Sequence, residues 1–160
     1  MKFKTYENGI SKPYVCISEY ASDSCKMLRN TEAWMEVVNY LKSQWYEVVV
    51  ISKEKTKLTG VIDKSAYGYK IEDRINDLQQ CEFFIGCSSG LSWLASGLNK
   101  HVFLISDYTP PDHEFKTNCT GIWNKASQRI EIKHMVKNTE EVTVDEVISI
   151  IDNAIKKSKT

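Results

Sequence analysis

Gly86-Cys87-Ser88-Ser89-Gly90 stands between the apolar run Phe83–Ile85 and the apolar stretch Leu91–Leu98. Two chemistries use a strand–turn–helix of this kind. In the first, Ser88 is a nucleophile on a sharp elbow, since the five residues match Gly-x-Ser-x-Gly. Asp107 or Asp112, followed by His113 or His134, even gives the chain order Ser, Asp, His. In the second, the turn cradles an anion. The first N–H groups of a helix lack intrahelical partners, and the helix dipole adds partial positive charge there. Ser88 and Ser89 would add hydroxyl donors, and Gly90 would let a ligand approach the backbone closely. Lys26 and Arg29, in the stretch SEYASDSCKMLR, would bring positive charge for a pyrophosphate. The chain is short for a serine-hydrolase fold and has no HGGG-like oxyanion segment, which weighs against the nucleophile. Between a ligand cradle and simple capping of the helix by its serines, the turn alone does not decide.

The bulk composition narrows the field. A chain of 160 residues is long enough for a single domain with one sizeable core. Its 21 basic and 21 acidic residues balance, which argues against nucleic acid as the main partner. No stretch approaches the ~18 consecutive apolar residues of a membrane span, and MKFKTYENG has no signal-peptide core, so a cytoplasmic location is expected. The five cysteines, Cys16, Cys25, Cys81, Cys87 and Cys119, are odd in number and form no C-x-x-C pair. Buried, reduced thiols are the expectation.

The turn must be positioned by its flanking elements. Tyr14–Ser18 reads as a first strand, and Asn30 or Thr31 caps a helix whose face is Trp34, Val37, Val38 and Leu41. Tyr46–Ser52 is β-branched and reads as a second strand. Ile71, Ile75 and Leu78 predict a shorter helix. Phe83–Gly86 is a third strand, Leu91–Leu98 the helix behind it, and Val102–Ser106 a fourth strand. A long polar stretch runs from Asp107 to about Ser127, and Arg129–Lys133 alternates like a fifth strand. The last helix carries the stripe Val144, Val147, Ile148, Ile151 and Ile155 behind a Thr143-x-x-Glu146 capping box.

Strands separated by helices imply parallel pairing through right-handed crossovers, and uniformly apolar strands imply helices on both faces. The expected fold is therefore a doubly wound, mainly parallel α/β domain over residues 1–160, with a core from about 14 to 155. Ligands of such sheets collect at the carboxyl ends of the strands. That gathers four loops, 18–29, 52–57, 87–91 and 107–115, around one candidate site.

The segment CEFFIGCSSGLSWLASGLNKHVFLIS resembles the signature of the ADP-heptose glycosyltransferases, and Ser88–Ala95 most resembles the autotransporter O-heptosyltransferase branch. Ile17–Trp34 is similar to the entry to that family's C-terminal domain, and Ile105-Ser106 with Glu114-Phe115 to the loop after its fourth strand. The resemblance implies a Rossmann-like half of a GT-B glycosyltransferase that binds a nucleotide sugar, ADP-linked in preference. Carried over by position, it places Ser18, Glu19 and Lys26 near the donor phosphates or sugar. It places Ser88, Ser89, Gly90 and Leu91 around the diphosphate, and Ser52 to Glu54 near the nucleoside. Trp93 falls where the lipopolysaccharide branch has His.

The departures from the family pattern carry expectations of their own. The domain that brings the acceptor site and the Asp general base is missing, so no catalytic residue can be assigned. A homodimer or a separate acceptor-domain chain would have to supply the base. The autotransporter branch has a cysteine metal finger whose opening resembles Cys119–Asn124, but Ile122 replaces the second cysteine, so no metal and no cofactor are expected. Trp45 stands where a helix-ending Gly is common, which implies a strained turn. The rival readings are a non-enzymatic nucleotide- or partner-binding module with a degenerate glycosyltransferase fold and, behind it, the Ser88 hydrolase. His101 is expected on the surface, His134 on a solvated basic edge with Lys133 and Lys137, and Trp34 in the core.

Overall fold

The computed structural model of the chain describes residues 10–19, 31–66, 70–87, 90–106, 118–123 and 143–158. In chain order the elements are β1 (Tyr14–Ser18), α1 (Thr31–Ser43), β2 (Glu47–Val50), β3 (Ile62–Asp63), α2 (Ile71–Gln80), β4 (Phe84–Cys87), α3 (Gly90–Gly97), β5 (Val102–Ser106), β6 (Cys119–Trp123) and α4 (Val144–Ser158). The strands form one sheet in the order β3-β2-β1-β4-β5-β6. Every pairing is parallel. The chain steps outward from β1 to β3, returns to lay β4 against the other side of β1, and steps outward again. The reversal lies between β1 and β4.

Alternate residues of each strand serve opposite faces, which is why the strands read as unbroken apolar runs. Val15, Ile17, Val48, Val50, Ile85, Phe103 and Ile105 pack with α1 and α4 on one face. Tyr14, Cys16, Val49, Phe84, Val102 and Leu104 pack with Leu78 of α2 and Ala95 of α3 on the other. The expected doubly wound, parallel architecture is the one found. Trp34 is buried in the first cluster, and Val147, Ile151 and Ile155 seat α4 there. The Tyr40 hydroxyl donates to Asp152 at 2.7 Å, tying α1 to α4.

Three sequence expectations need correction or completion. The helix predicted from Ile71, Ile75 and Leu78 exists, but it turns Arg74, Asp77 and Leu78 inward and leaves Ile71 exposed. An ion pair makes this possible, because Lys64 Nζ reaches Asp77 Oδ1 at 2.7 Å. The Tyr14 hydroxyl also donates to the Asp77 carbonyl, at 2.5 Å. Two strands, β3 and β6, are additions to the expected elements; β6 lies within the long polar stretch from Asp107 to about Ser127. The strand expected at 129–133 lies outside the described residues. Within those residues no helix is long and apolar enough to cross a membrane.

Helix ends follow local chemistry. The Glu146 N–H donates to Thr143 Oγ1 at 3.2 Å, the forward half of the predicted capping box. α1 ends in a Schellman motif, with Tyr46 N–H on the Leu41 carbonyl at 3.2 Å and Trp45 N–H on the Lys42 carbonyl at 3.1 Å. Trp45 holds the left-handed position at φ 70°, where Gly would carry no penalty from its side chain. The strain expected at this turn is therefore present. α3 ends the same way with Asn99 at φ 61°, a residue type better suited to that backbone.

Candidate functional site

All six strands point the same way, so their carboxyl ends line one edge, and the β1/β4 reversal marks the place on it where ligands of such sheets collect. Ser18, the last residue of β1, is in register with Gly86 of β4. Ser18 is buried, so its position fixes the floor of the edge rather than a projecting side chain. β4 runs through Cys87, and α3 begins at Gly90, so only Ser88 and Ser89 separate strand from helix. Those two serines and Lys26 lie outside the described residues. Among the described residues, a Cβ added at Gly90 would meet nothing beyond its own helix within 4 Å, whereas one added at Gly86 would lie 2.6 Å from the Phe84 ring. The two glycines of the turn therefore differ. Gly86 is constrained by packing, and no described residue constrains Gly90 in the same way.

Leu91 is half-buried against the core behind α3. Trp93, in the first turn of α3, is 54% exposed. Ser52 is fully buried two residues past β2, and its hydroxyl donates to the Glu54 carbonyl at 2.7 Å. Its own carbonyl accepts from Ala66 N–H at 3.1 Å. Ser52 therefore shapes the loop, while Glu54 itself is exposed. Ala66 sits at φ 98°, a conformation rare for a residue with a side chain, so the β2 and β3 loops are locked together under local strain.

Glu19 follows β1 directly and is half-buried. Thr56 Oγ1 donates to its Oε1. Burial pushes the Glu19 carboxyl up, the Thr56 bond pulls it down by less, and Asp63 adds a smaller push that Lys57 offsets. Thr56 is itself held twice, by Leu58 N–H on its Oγ1 at 3.1 Å and by its own N–H on Ser65 Oγ at 2.9 Å. Ser65 Oγ donates to Asp63, which also pairs with Lys55. Burial would raise Asp63, but the bonds from Lys55 and Ser65 outweigh it and hold the carboxyl below its ordinary value. Glu19 is legible in the sequence as a candidate, whereas Thr56, Asp63 and Ser65 are not. No local signal marks them, because the Thr56–Glu19 bond spans 37 positions.

His101 is a further correction. It was expected on the surface, yet its Nε2 lies 2.6 Å from Thr120 Oγ1 and its ring packs edge-on against Phe103. It joins β5 to β6, and burial lowers its pKa below the ordinary 6.5.

Comparison with known proteins decides the ancestry. The autotransporter heptosyltransferase BAHTCr of Citrobacter rodentium is 34% identical over 152 residues, covering 82% of this chain and 37% of that protein. This chain is a homologue of the autotransporter heptosyltransferases. BimC of Burkholderia thailandensis, described as an inactive autotransporter heptosyltransferase, is 28% identical over 76% of this chain and 32% of its own length. Among solved structures, the dodecameric, iron-containing heptosyltransferase TibC of enterotoxigenic E. coli in complex with ADP-D-β-D-heptose superposes with a TM-score of 0.75 and 26% identity. That match covers 98% of this chain and 48% of TibC. The chain thus spans between a third and a half of the proteins it matches. No protein-family model matches it.

Proposed function

We propose that the chain is the donor-binding domain of a heptosyltransferase-type protein and takes an ADP-linked sugar at the carboxyl edge of its sheet. The observation that carries this reading is the β1/β4 reversal with Ser18 beside Gly86, followed two residues past β4 by the N-terminus of α3. Backbone N–H groups and a helix dipole at that place favour a diphosphate, and the TibC complex with an ADP-heptose supports the choice of ligand. In this reading Ser88, Ser89, Gly90 and Leu91 surround the diphosphate with Lys26 as its counter-charge. Glu19 and Glu54 serve the hydroxyl-bearing parts, and Trp93 borders the site.

Transfer would need a base within reach of an acceptor hydroxyl. We assign that base to a second domain or a second chain, so the isolated monomer is expected to bind donor without transferring sugar. A thermal-shift panel tests the binding claim. ADP and ADP-heptose should raise the melting temperature more than UDP or GDP, and an equal response to all four, or to none, would count against it.

TibC is described as iron-containing, and the residues here do not fit a cysteine-ligated iron. Cys119 and Ile122 both belong to β6, three positions apart, so they face opposite sides of the sheet. Ile122 fills the core beside α4, and Cys119 packs on the other face. Thiolate ligands must converge on one point, and these positions diverge.

A second reading, a binding module without transfer activity, is favoured by one observation, the likeness to BimC, a relative described as inactive. Donor binding without turnover, persisting after every candidate partner chain is supplied, would favour it.

A further inference from the structure

We propose that Thr56 is a positioning residue that fixes the Glu19 carboxylate as an acceptor for sugar hydroxyls, making this corner of the edge selective for an uncharged, hydroxyl-bearing ring over a further phosphate. The inference rests on the donor-binding reading and adds to it which part of the ligand this corner reads.

Leu58 N–H points at Thr56 Oγ1, so that oxygen accepts there and its single proton is free to go elsewhere. It goes to Glu19 Oε1. The Thr56 backbone is fixed in turn by its N–H bond to Ser65 Oγ at 2.9 Å. Ser65 is held by Asp63, to which its N–H donates at 2.9 Å and its hydroxyl also donates. The loops after β1, β2 and β3 are thereby joined in one chain of hydrogen bonds that ends on Glu19. One carboxylate oxygen is committed to that chain. For the other, no bond is found among the described residues.

A half-buried carboxylate with an uncommitted oxygen accepts hydrogen bonds and donates none when ionised. A phosphate oxygen carries the same sign of charge and would be repelled, the more so because Asp63 adds negative charge nearby, opposed among the described residues by Lys57. A hydroxyl offers the proton such an oxygen needs. Two sources share this chemistry in a nucleotide sugar, the ribose and the transferred sugar, and a ligand pair separates them. Ser52, by contrast, spends its proton on the Glu54 carbonyl and offers no comparable selectivity.

The test is titration calorimetry of ADP and ADP-heptose against wild type, Glu19→Gln, Thr56→Val and Thr56→Ser, from pH 5 to 8. Loss of one charge-assisted bond in Glu19→Gln should weaken binding about tenfold. Thr56→Val should weaken it by a smaller factor, and Thr56→Ser, which keeps the hydroxyl, should restore it. Because binding needs ionised Glu19, affinity should fall as pH drops through the carboxyl's raised pKa. Thr56→Val removes a bond that favours ionisation, so its fall should begin at higher pH, and Glu19→Gln should abolish this component. The ligand's own phosphate titration is common to all four proteins and cancels in the ratios. A loss confined to ADP-heptose assigns the contact to the transferred sugar, and an equal loss with ADP assigns it to the ribose. If wild type binds and the Glu19→Gln and Thr56→Val variants match it at every pH, this inference is overturned while the donor reading stands. If wild type binds neither ligand, both fall. Should Thr56→Val prove unfolded by circular dichroism, the Glu19→Gln pH profile decides alone.

Discussion

Gly86 lies against Phe84 so closely that a Cβ on the glycine would sit 2.6 Å from the Phe84 ring, itself fully buried. Gly86 is also the residue in register with Ser18 at the point where the sheet reverses. Gly86→Ala should therefore destabilise the domain by about 1–3 kcal/mol through overpacking. Gly90→Ala should fold as wild type, since no described residue outside its own helix lies within 4 Å of the added methyl. Denaturant melts of the two variants, taken side by side, check the contrast. Equal stabilities would mean that Phe84 can move freely.

The pair Lys64–Asp77 carries α2. Asp77 is almost fully buried and Lys64 only partly exposed. Lys64→Met would leave the carboxylate without its ammonium partner and should cost about 3 kcal/mol, at the lower end for a broken buried pair because water reaches the lysine. Replacing both, as Lys64→Met with Asp77→Leu, should recover much of that loss. Equilibrium urea unfolding of the single and double variants measures both effects, and an unaltered midpoint in Lys64→Met would remove the pair from the account.

Trp45 ends α1 in a left-handed conformation while 81% exposed. It contributes strain and little burial. Trp45→Gly relieves the strain but gives the unfolded chain more freedom, so the net gain should be about 0.5–1 kcal/mol. Thermal melting of the variant should show a higher midpoint; a lower one would mean the indole is packed in solution.

His101 makes stability depend on pH with a definite sign. Its folded pKa lies below the unfolded value of 6.5, so the unfolded chain binds the proton first. Stability from this group is present above the unfolded pKa and is lost as pH falls from there through the folded pKa. His101→Gln should flatten the unfolding free energy across that window, as followed by denaturant melts at several pH values. A variant with the wild-type slope would place the titration elsewhere.

How far the sequence speaks for the fold depends on what each element is made of. β1 and β5 are unbroken apolar runs, and their bounds could be read directly. β6 could not, because CTGIW interrupts its apolar pattern with Thr120 and Gly121, although Ile122 is buried in the core. β3 is two residues long, too short for any periodicity. The inward face of α2 is not legible from its apolar spacing, which says nothing of Lys64, arriving from the loop after β3 to neutralise Asp77. The same limit hid Thr56. Its role is set by a partner from another loop, and tertiary polar contacts leave no local pattern. Trp45 shows the opposite case, where a single residue in a helix-ending position announced the backbone it must adopt.

Donor binding is the central claim, and titration calorimetry with ADP-heptose tests it most directly. The account predicts saturable binding at one site per chain, with a measurable share retained by ADP alone. Lys26→Ala should remove one charged hydrogen bond to the diphosphate, worth about 1.5–3 kcal/mol, or roughly ten- to a hundredfold in affinity, while far-UV circular dichroism stays that of the wild type. No heat of binding from ADP, ADP-heptose, UDP or GDP with folded protein would contradict the account and leave a glycosyltransferase fold that no longer holds a donor.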